Sequence, residues 1–342
     1  MKTAEDLPKD ESVQVITVDT RITNLAKLPE LQPYLRYMIF SPLCDITSGF
    51  LRDKKIIDLN EIGWSADGIT AGLNAFMRAI SEGRVELHSV YSEADCADDP
   101  LKKDVNLIRI SPVRPDKAKP FVMLCAGGGY QNVCTMVEAL PTARHMVDAG
   151  YTVFLMTYRV SVSAAAIKAL DDLAAAVRWL ENHAAALGID PSRYAIGGFS
   201  AGANLISNWG CAHIGWKHNG APKPLCLFPI YTFIDLKAEA EQNELGGILA
   251  LMLGEGWREK LDQYSVADHI DRDYPPCYIV CGKDDATVPS RNSELMKQRL
   301  DSTGIPSILE EGKHAAHGFG DGTGTDVEGW PERAMRFLES LM

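Results

Sequence analysis

The fold of this 342-residue chain is decided by residues 194–202, which read YAIGGFSAG. The run is apolar or small up to Gly198, as in a buried strand, and a helical pattern follows from Ala201. Gly198, Ser200 and Gly202 form a Gly-x-Ser-x-Gly pattern at the junction. A sharp strand-to-helix turn lifts a serine hydroxyl above the sheet, and only small neighbours leave room for it. The pattern favours a nucleophilic serine over a glycine-rich turn with an idle one.

Short apolar runs alternate with helical patterns on both sides of this turn. The alternation predicts an α/β protein with a mostly parallel central sheet and helices on both faces. The runs of strand length are 85–91, 105–113, 120–126, 151–160, 194–198, 224–231, 276–281 and 307–311. The helical patterns after the first strand are 170–187, 201–213, 290–300 and 330–341.

Two segments stand outside this alternation. Residues 1–83 are predicted to be an N-terminal extension, serving as a cap or dimer element, in front of a catalytic domain at 84–342. The extension ends in an amphipathic helix with Ser65 as its N-cap, and an exposed apolar face there would favour a homodimer. Residues 232–262 form an acidic, lid-like insert. Its partly apolar surface is predicted to comprise Ile248, Leu249, Met252 and Leu253.

Composition excludes several classes of protein. The 34 Lys and Arg against 46 Asp and Glu give a net charge of −12, which disfavours nucleic acid and anionic membranes as partners. No apolar run approaches the roughly 20 residues that cross a bilayer, and the first residues are polar and acidic. These features predict a cytoplasmic protein. The eight scattered cysteines, among them Cys44, are interpreted as buried reduced thiols.

An activated serine requires a base, and the base requires a third group to orient it. Where a Gly-x-Ser-x-Gly turn carries the nucleophile, the three groups follow along the chain as serine, acid and histidine. The acid lies after a later strand, and the histidine lies near the carboxyl end. Asp284 and Asp285 follow the strand at 276–281, while His314 and His317 follow the strand at 307–311. Spacing alone leaves both choices open. A metal site on the two histidines is disfavoured because no carboxylate or cysteine at ligand spacing completes it.

A third feature is the run AGGGY at residues 126–130, directly after an apolar strand. Three glycines let the backbone approach a substrate closely and turn N–H groups inward, as an oxyanion hole requires. The run lacks the Gly-Lys-Ser/Thr of a P-loop and does not fit Gly-x-Gly-x-x-Gly. The sequence therefore predicts no nucleotide or other cofactor and no metal.

Together, the runs at 126–130 and 190–202, with Asp285 and the His-Gly-Phe sequence at 317–319, resemble the α/β-hydrolase superfamily. The most similar branch is the esterase/lipase group related to hormone-sensitive lipase and to bacterial acetyl and feruloyl esterases. The resemblance covers residue 84 to the end. It implies an α/β-hydrolase fold, to which the sequence adds an N-terminal and an inserted segment that are predicted to cap the site.

The resemblance also implies roles for particular residues. Ser200 would be the nucleophile, His317 the general base and Asp285 the group that orients the base. The N–H groups of Gly128, Gly129 and Ala201 would form the oxyanion hole.

The chain departs from the lipase pattern at two positions. Ala126 stands where many lipase-like members have histidine, and Phe199 stands where the lipase branch often has aspartate. These departures favour the carbohydrate-esterase side. The expected substrate is a small acyl ester of an alcohol or a sugar, hydrolysed through an acyl-enzyme.

Pocket walls are harder to predict from sequence. If the two outer segments cover the site, the candidates are Trp64, Phe76, Tyr130, Phe199 and Met252. For each of them, an ordinary core or interface position is the more common role of such a residue type. Two other functions share the motifs, namely a serine aminopeptidase and a non-catalytic ligand-binding relative. The first usually needs an added propeller or an acidic pocket for the substrate amine.

Overall fold

The computed structural model describes residues 15–43, 46, 48–116, 118–242 and 246–342. Within these residues it confirms the predicted α/β class, with one eight-stranded sheet between helices. The strands are β1 (Val85–Ser89), β2 (Asn106–Ile110), β3 (Phe121–Cys125), β4 (Val153–Thr157), β5 (Tyr194–Phe199), β6 (Cys226–Ile230), β7 (Cys277–Gly282) and β8 (Ser307–Gly312).

The strand order is β1-β2-β4-β3-β5-β6-β7-β8. Pairing is antiparallel from β1 to β2 and from β2 to β4, and it is parallel across the rest of the sheet. Strands β3 to β7 are buried along their whole length, as expected for strands covered on both faces. The loops that follow the parallel strands therefore meet along one edge of the sheet.

Helices connect and flank these strands. They are α1 (Ile22–Leu25), α2 (Leu35–Met38), α3 (Ala66–Ser81), α4 (Ala139–Asp148), α5 (Ala165–Leu187), α6 (Ala201–Gly210), α7 (Leu236–Gln242), α8 (Gly246–Leu253), α9 (Leu261–Tyr264), α10 (Arg291–Thr303) and α11 (Trp330–Ser340). Short 3₁₀ helices lie at Pro29–Leu31, Gly49–Leu51, Ile56–Ile62, Pro100–Asp104, Trp257–Lys260 and Val266–Asp268.

The sequence pattern missed α4, which connects β3 to β4. Pro141 lies in its first turn, where the absent N–H costs nothing, but a proline there weakens the helical signal. The predicted long helix is α5, and Gly188 ends it in a left-handed conformation with φ of 66°.

Helix α3 begins as predicted, because the Ser65 hydroxyl accepts a hydrogen bond from the N–H of Gly68 at 3.1 Å. Its apolar face is not exposed, however. That face packs on α4, and Gly72 permits the approach, since a Cβ there would lie 2.9 Å from the backbone of Pro141. The buried apolar residues include Ile69, Leu73, Phe76 and Met77. The helix therefore does not offer the exposed face on which the homodimer prediction depended.

The insert at 232–262 also differs from its prediction. Leu249, Met252 and Leu253 are fully buried rather than forming a partly apolar surface. Helix α8, which carries them, packs against α5. Ile248 is the half-buried exception and points to the site described below.

The seven described cysteines are all buried and unpaired, as interpreted from the sequence, and Cys44 lies outside the described residues. In the described ranges, every helix is either too short or too polar to traverse a lipid bilayer.

Candidate active site

Ser200 sits at the turn between β5 and α6 in a strained backbone conformation, with φ of 51° and ψ of −116°. Non-glycine residues rarely adopt positive φ, and the surrounding backbone must impose it. The flanking glycines explain how the turn fits. A Cβ on Gly198 would lie 2.3 Å from the carbonyl oxygen of Gly202, and a Cβ on Gly202 would lie 2.0 Å from that of Cys125. The turn thus needs glycine at both positions.

Strand register brings the other loops to this turn. Cys125 pairs with Gly198, so the glycine run after β3 lies beside Ser200. The N–H of Ser200 donates to the carbonyl of Ile230, the last residue of β6, at 3.0 Å. On the other side, Gly282 pairs with Gly312, so the loops after β7 and β8 are neighbours.

His317 joins the two other groups. Its Nδ1 lies 2.7 Å from Oδ2 of Asp285, and its Nε2 lies 2.9 Å from Oγ of Ser200. Because an ionised carboxylate only accepts, Nδ1 carries the ring proton and Nε2 is left to accept from the serine hydroxyl. The side chain of Asp285 is 1% exposed and that of His317 is 20% exposed. The geometry is that of a nucleophile, a base and an orienting acid.

The competing candidates occupy different positions. Asp285 also accepts the N–H groups of Thr287 and Val288 through Oδ1, each at 2.8 Å, which fixes its carboxylate. Asp284 is exposed and instead accepts the N–H of Ala315 at 2.8 Å, linking the two loops. His314 is exposed, and its N–H donates to Asp326. The structure therefore brings Asp285 and His317 to Ser200 and leaves Asp284 and His314 outside.

The glycine run lies directly beside Ser200. Gly127 lies so close that a Cβ would be 2.8 Å from Cβ of Ser200, and Gly128 has a φ of 132°. The N–H of Gly127 is already occupied by Glu138 at 2.5 Å. Within the described ranges, the N–H groups of Gly128, Gly129 and Ala201 have no protein acceptor. Backbone donors without an acceptor, next to a serine hydroxyl, are the kind of group that can hold a developing oxyanion.

A cavity of about 230 Å³ opens over Ser200 and His317. Its lining is mostly apolar, and Trp64 is the only predicted wall residue that the described structure places there. The other lining residues are Gly128, Gly129, Cys134, Glu138, Phe233, Ile248, Thr287, Val288 and Gly318.

The remaining predicted wall residues lie in the core, which corrects their assignment to the pocket. Tyr130 is fully buried and donates its hydroxyl to Asn204 at 2.8 Å. Phe199 packs on Tyr231 and Trp330 beneath the turn. Met252 is buried in the insert, and Phe76 packs edge-on against Tyr34 with ring centroids 5.2 Å apart. Size and apolarity alone do not separate such core positions from a pocket wall.

The N-terminal segment supports the site directly. Phe40 and Val133 exchange two backbone hydrogen bonds, of 3.0 and 2.8 Å, and the N–H of Met136 donates to Met38 at 2.7 Å. These bonds fix the chain that follows the glycine run. Trp64 covers the histidine loop, because a Cβ on Gly318 would lie 2.9 Å from the indole ring.

Two residues at the site were missed by the sequence analysis. Tyr231 directly follows β6, and its ring lies 4.7 Å from that of His317. Its position at the carboxyl end of the apolar run 224–231, the strand that follows the serine turn in the sequence, was a usable signal. Glu138 lines the cavity, and no motif points to it. Across the described ranges, no three or more acidic, histidine or cysteine side chains are grouped as a metal site requires.

Comparison with known proteins gives a consistent family. The BD-FAE family model matches residues 110–300. Endo-1,4-beta-xylanase B of Butyrivibrio fibrisolvens is 23% identical over 227 residues, which are 63% of this chain and 35% of that protein. Carboxylesterase NlhH of Mycobacterium tuberculosis is 39% identical over 87 residues, 25% of this chain and 27% of that protein. The chain thus matches only 35% and 27% of these relatives' length.

Solved structures show the same fold. An acetyl ester-xyloside bifunctional hydrolase from Caldicellulosiruptor lactoaceticus superposes with a TM-score of 0.64 at 24% identity, covering 75% of this chain and 97% of that one. A putative carboxylesterase from Lactobacillus plantarum gives a TM-score of 0.59 at 18% identity, covering 75% and 97%. These identities carry information on fold alone. Since the family model spans more than half of the residues, this chain belongs to the BD-FAE family of α/β-hydrolase esterases.

Proposed function

We propose that this chain is a serine carboxylesterase that hydrolyses small acyl esters through an acyl-enzyme. The observation that carries the proposal is the position of His317, which lies within hydrogen-bond distance of both Ser200 and Asp285. Family membership supports hydrolysis of an ester as the reaction.

In the proposed first step, Ser200 Oγ attacks the ester carbonyl while His317 Nε2 takes the hydroxyl proton. Asp285 keeps the imidazole in the correct tautomer and stabilises its cation. The N–H groups of Gly128, Gly129 and Ala201 hold the oxyanion, at about 3 kcal/mol for each donor in comparable sites. His317 then protonates the leaving alcohol, and a water molecule releases the acid by the same steps in reverse.

The cavity supports a short acyl group. Its volume of about 230 Å³ lies below the roughly 300–1,000 Å³ of sites for drug-sized ligands. Apolar walls from Trp64, Phe233 and Ile248 suit an alkyl chain better than a charged group. The names of two similar proteins refer to xylanase and xyloside hydrolase activity, which supports an acylated sugar as the substrate.

A panel of p-nitrophenyl esters from acetate to palmitate, assayed beside aminoacyl anilides, tests this function. We expect turnover of the shortest esters and none of the anilides, and we expect Ser200→Ala to remove turnover while the chain stays folded. Anilide cleavage would favour an aminopeptidase. Absence of all turnover would favour a non-catalytic relative.

A further inference from the structure

Glu138 is a buried carboxylate at the active site that the proposed mechanism does not use. It is the sole charged residue between Lys119 and Arg144 in the sequence. Only 4% of its surface is exposed, and it lines the same cavity as Ser200 and His317. Burying a carboxylate is costly unless hydrogen bonds and nearby charge compensate. The compensating groups therefore indicate what the residue does.

Both oxygens of Glu138 are occupied by parts of the catalytic machinery. Oε2 accepts the N–H of Gly127, at the start of the glycine run, at 2.5 Å. Oε1 accepts the hydroxyl of Tyr231 at 2.9 Å. The Tyr231 ring in turn packs on the ring of His317, with centroids 4.7 Å apart. One carboxylate thus connects the oxyanion loop to the base.

The loop that carries His317 also packs on the backbone of Val137 and Glu138. A Cβ on Gly320 would lie 2.7 Å from the carbonyl oxygen of Val137 and 3.6 Å from Cα of Glu138. Phe319 stands edge-on to Tyr231 at 4.7 Å. The segments after β3, β6 and β8 therefore meet around Glu138.

The charge of Glu138 provides a second effect on His317. The groups that face His317 are Asp285 at Nδ1, Ser200 at Nε2, the Tyr231 ring and, across the cavity, Glu138. Burial raises the pKa of Glu138 above its ordinary value, and the Gly127 N–H, the charge of His317 and the Tyr231 hydroxyl, which favour the carboxylate, offset only part of that rise. A second carboxylate on this side favours the imidazolium that forms when Ser200 loses its proton.

We propose that Glu138 is a positioning residue of the reaction. It holds the oxyanion loop and, through Tyr231, the ring of His317 in the geometry that the transition state requires, and its charge favours the imidazolium. This role rests on the proposed serine esterase function. It predicts that the residue affects kcat far more than KM.

The test compares Glu138→Gln, Glu138→Asp and Tyr231→Phe with Glu30→Gln, which alters an exposed carboxylate in the N-terminal segment. Rates are expressed for each active site titrated with a fluorophosphonate. We expect Glu138→Gln to lower kcat about 10- to 100-fold with KM within about threefold. Tyr231→Phe should have a smaller effect. In the double variant Glu138→Gln/Tyr231→Phe, the fold-loss in kcat should be smaller than the product of the two single losses. Both substitutions break the same hydrogen bond between Glu138 and Tyr231.

The pH profile distinguishes positioning from folding. Removing a nearby anion disfavours the imidazolium, so the acid limb of kcat/KM should move to lower pH in Glu138→Gln. Glu138→Asp keeps the charge and shortens the reach, so its limb should stay in place while kcat falls. A purely structural role would lower the titrated fraction and leave both readouts unchanged.

The inference is overturned if Glu138→Gln keeps the wild-type kcat per titrated site and the wild-type acid limb. If that variant does not fold, a wild-type kcat in both Glu138→Asp and Tyr231→Phe overturns it equally. A wild-type protein that hydrolyses no ester would instead contradict the proposed function, so the two failures are distinguishable.

Discussion

The proposed catalytic groups and the pocket walls of this protein lie in and beside one cavity, but different parts of the fold place them. Ser200, Asp285 and His317 each follow a strand of the sheet, so register and short turns fix their positions. The walls come from distant parts of the chain, with Trp64 from the N-terminal segment and Ile248 from the insert. The difference teaches that the proposed catalytic residues are placed by local strand-and-turn geometry, whereas the size of the cavity depends on long-range packing.

The largest effect should come from the base. His317→Ala removes the proton acceptor of Ser200, and we expect kcat to fall by about 10³- to 10⁶-fold with little change in the free energy of unfolding. Steady-state kinetics with p-nitrophenyl acetate measure the fall. His314→Ala is the matched control and should keep wild-type activity; the opposite ranking of the two variants would exchange their roles.

Two neighbouring aspartates provide the next comparison. Asp285→Asn leaves His317 without its ionic partner, and we expect kcat to fall about 10²- to 10⁴-fold. Asp284→Asn keeps an oxygen that can accept the N–H of Ala315, so its rate should stay within a few-fold of wild type. Equal losses in the two variants would show that the loop geometry, rather than the carboxylate on the base, matters.

The pocket walls should change selectivity rather than chemistry. Trp64→Ala enlarges the cavity, so the ratio of kcat/KM for hexanoate over acetate should rise by about 10-fold. Met252→Ala is a matched control in the buried core. It should cost about 2–5 kcal/mol of stability without changing that ratio. An unchanged ratio in Trp64→Ala would show that the N-terminal segment does not determine which acyl chain is accepted.

The smallest predicted effect concerns the loop behind His317. His145 contacts Asp321 at 3.0 Å and Glu332 at 2.6 Å. Burial lowers the pKa of His145, but the hydrogen bond and charge of Asp321 and the charge of Glu332 outweigh burial and raise it. A raised pKa stabilises the fold below the unfolded value of about 6.5, and this contribution disappears as pH rises through the folded value.

His145→Gln should therefore cost about 1 kcal/mol of unfolding free energy near pH 6 and less near pH 9. Urea unfolding at the two pH values measures the difference. A cost that grows with pH would contradict the assigned direction.

The sequence predicted the parts of the fold that repeat a strong local pattern. Eight apolar runs became the eight strands of the described sheet, and Ser65 and Gly188 mark helix ends as expected. Helix α4 was missed because Pro141 weakens its pattern. The short helices before residue 66 carry few periodic residues and gain their order from packing.

In the candidate site, too, some residues could be predicted from local sequence and others could not. The turn at Ser200 and the glycine run can be recognised in the sequence, because close backbone contacts at these positions exclude residues larger than glycine. Spacing left Asp284 and Asp285 open, since only the direction of the turn decides which side chain reaches the histidine. Tyr130 and Trp64 are both aromatic residues in segments near the site, and only tertiary packing buries one and exposes the other to the cavity.

The central claim is that Ser200 carries the acyl group during turnover. Rapid acid quenching of the enzyme with p-nitrophenyl acetate, followed by peptide mass mapping, tests it directly. An acetyl group of about 42 Da on the peptide containing residues 194–202, absent in Ser200→Ala, is the predicted result. Turnover with the acetyl group on another residue, or with no covalent adduct even when deacylation is slowed, would contradict the account.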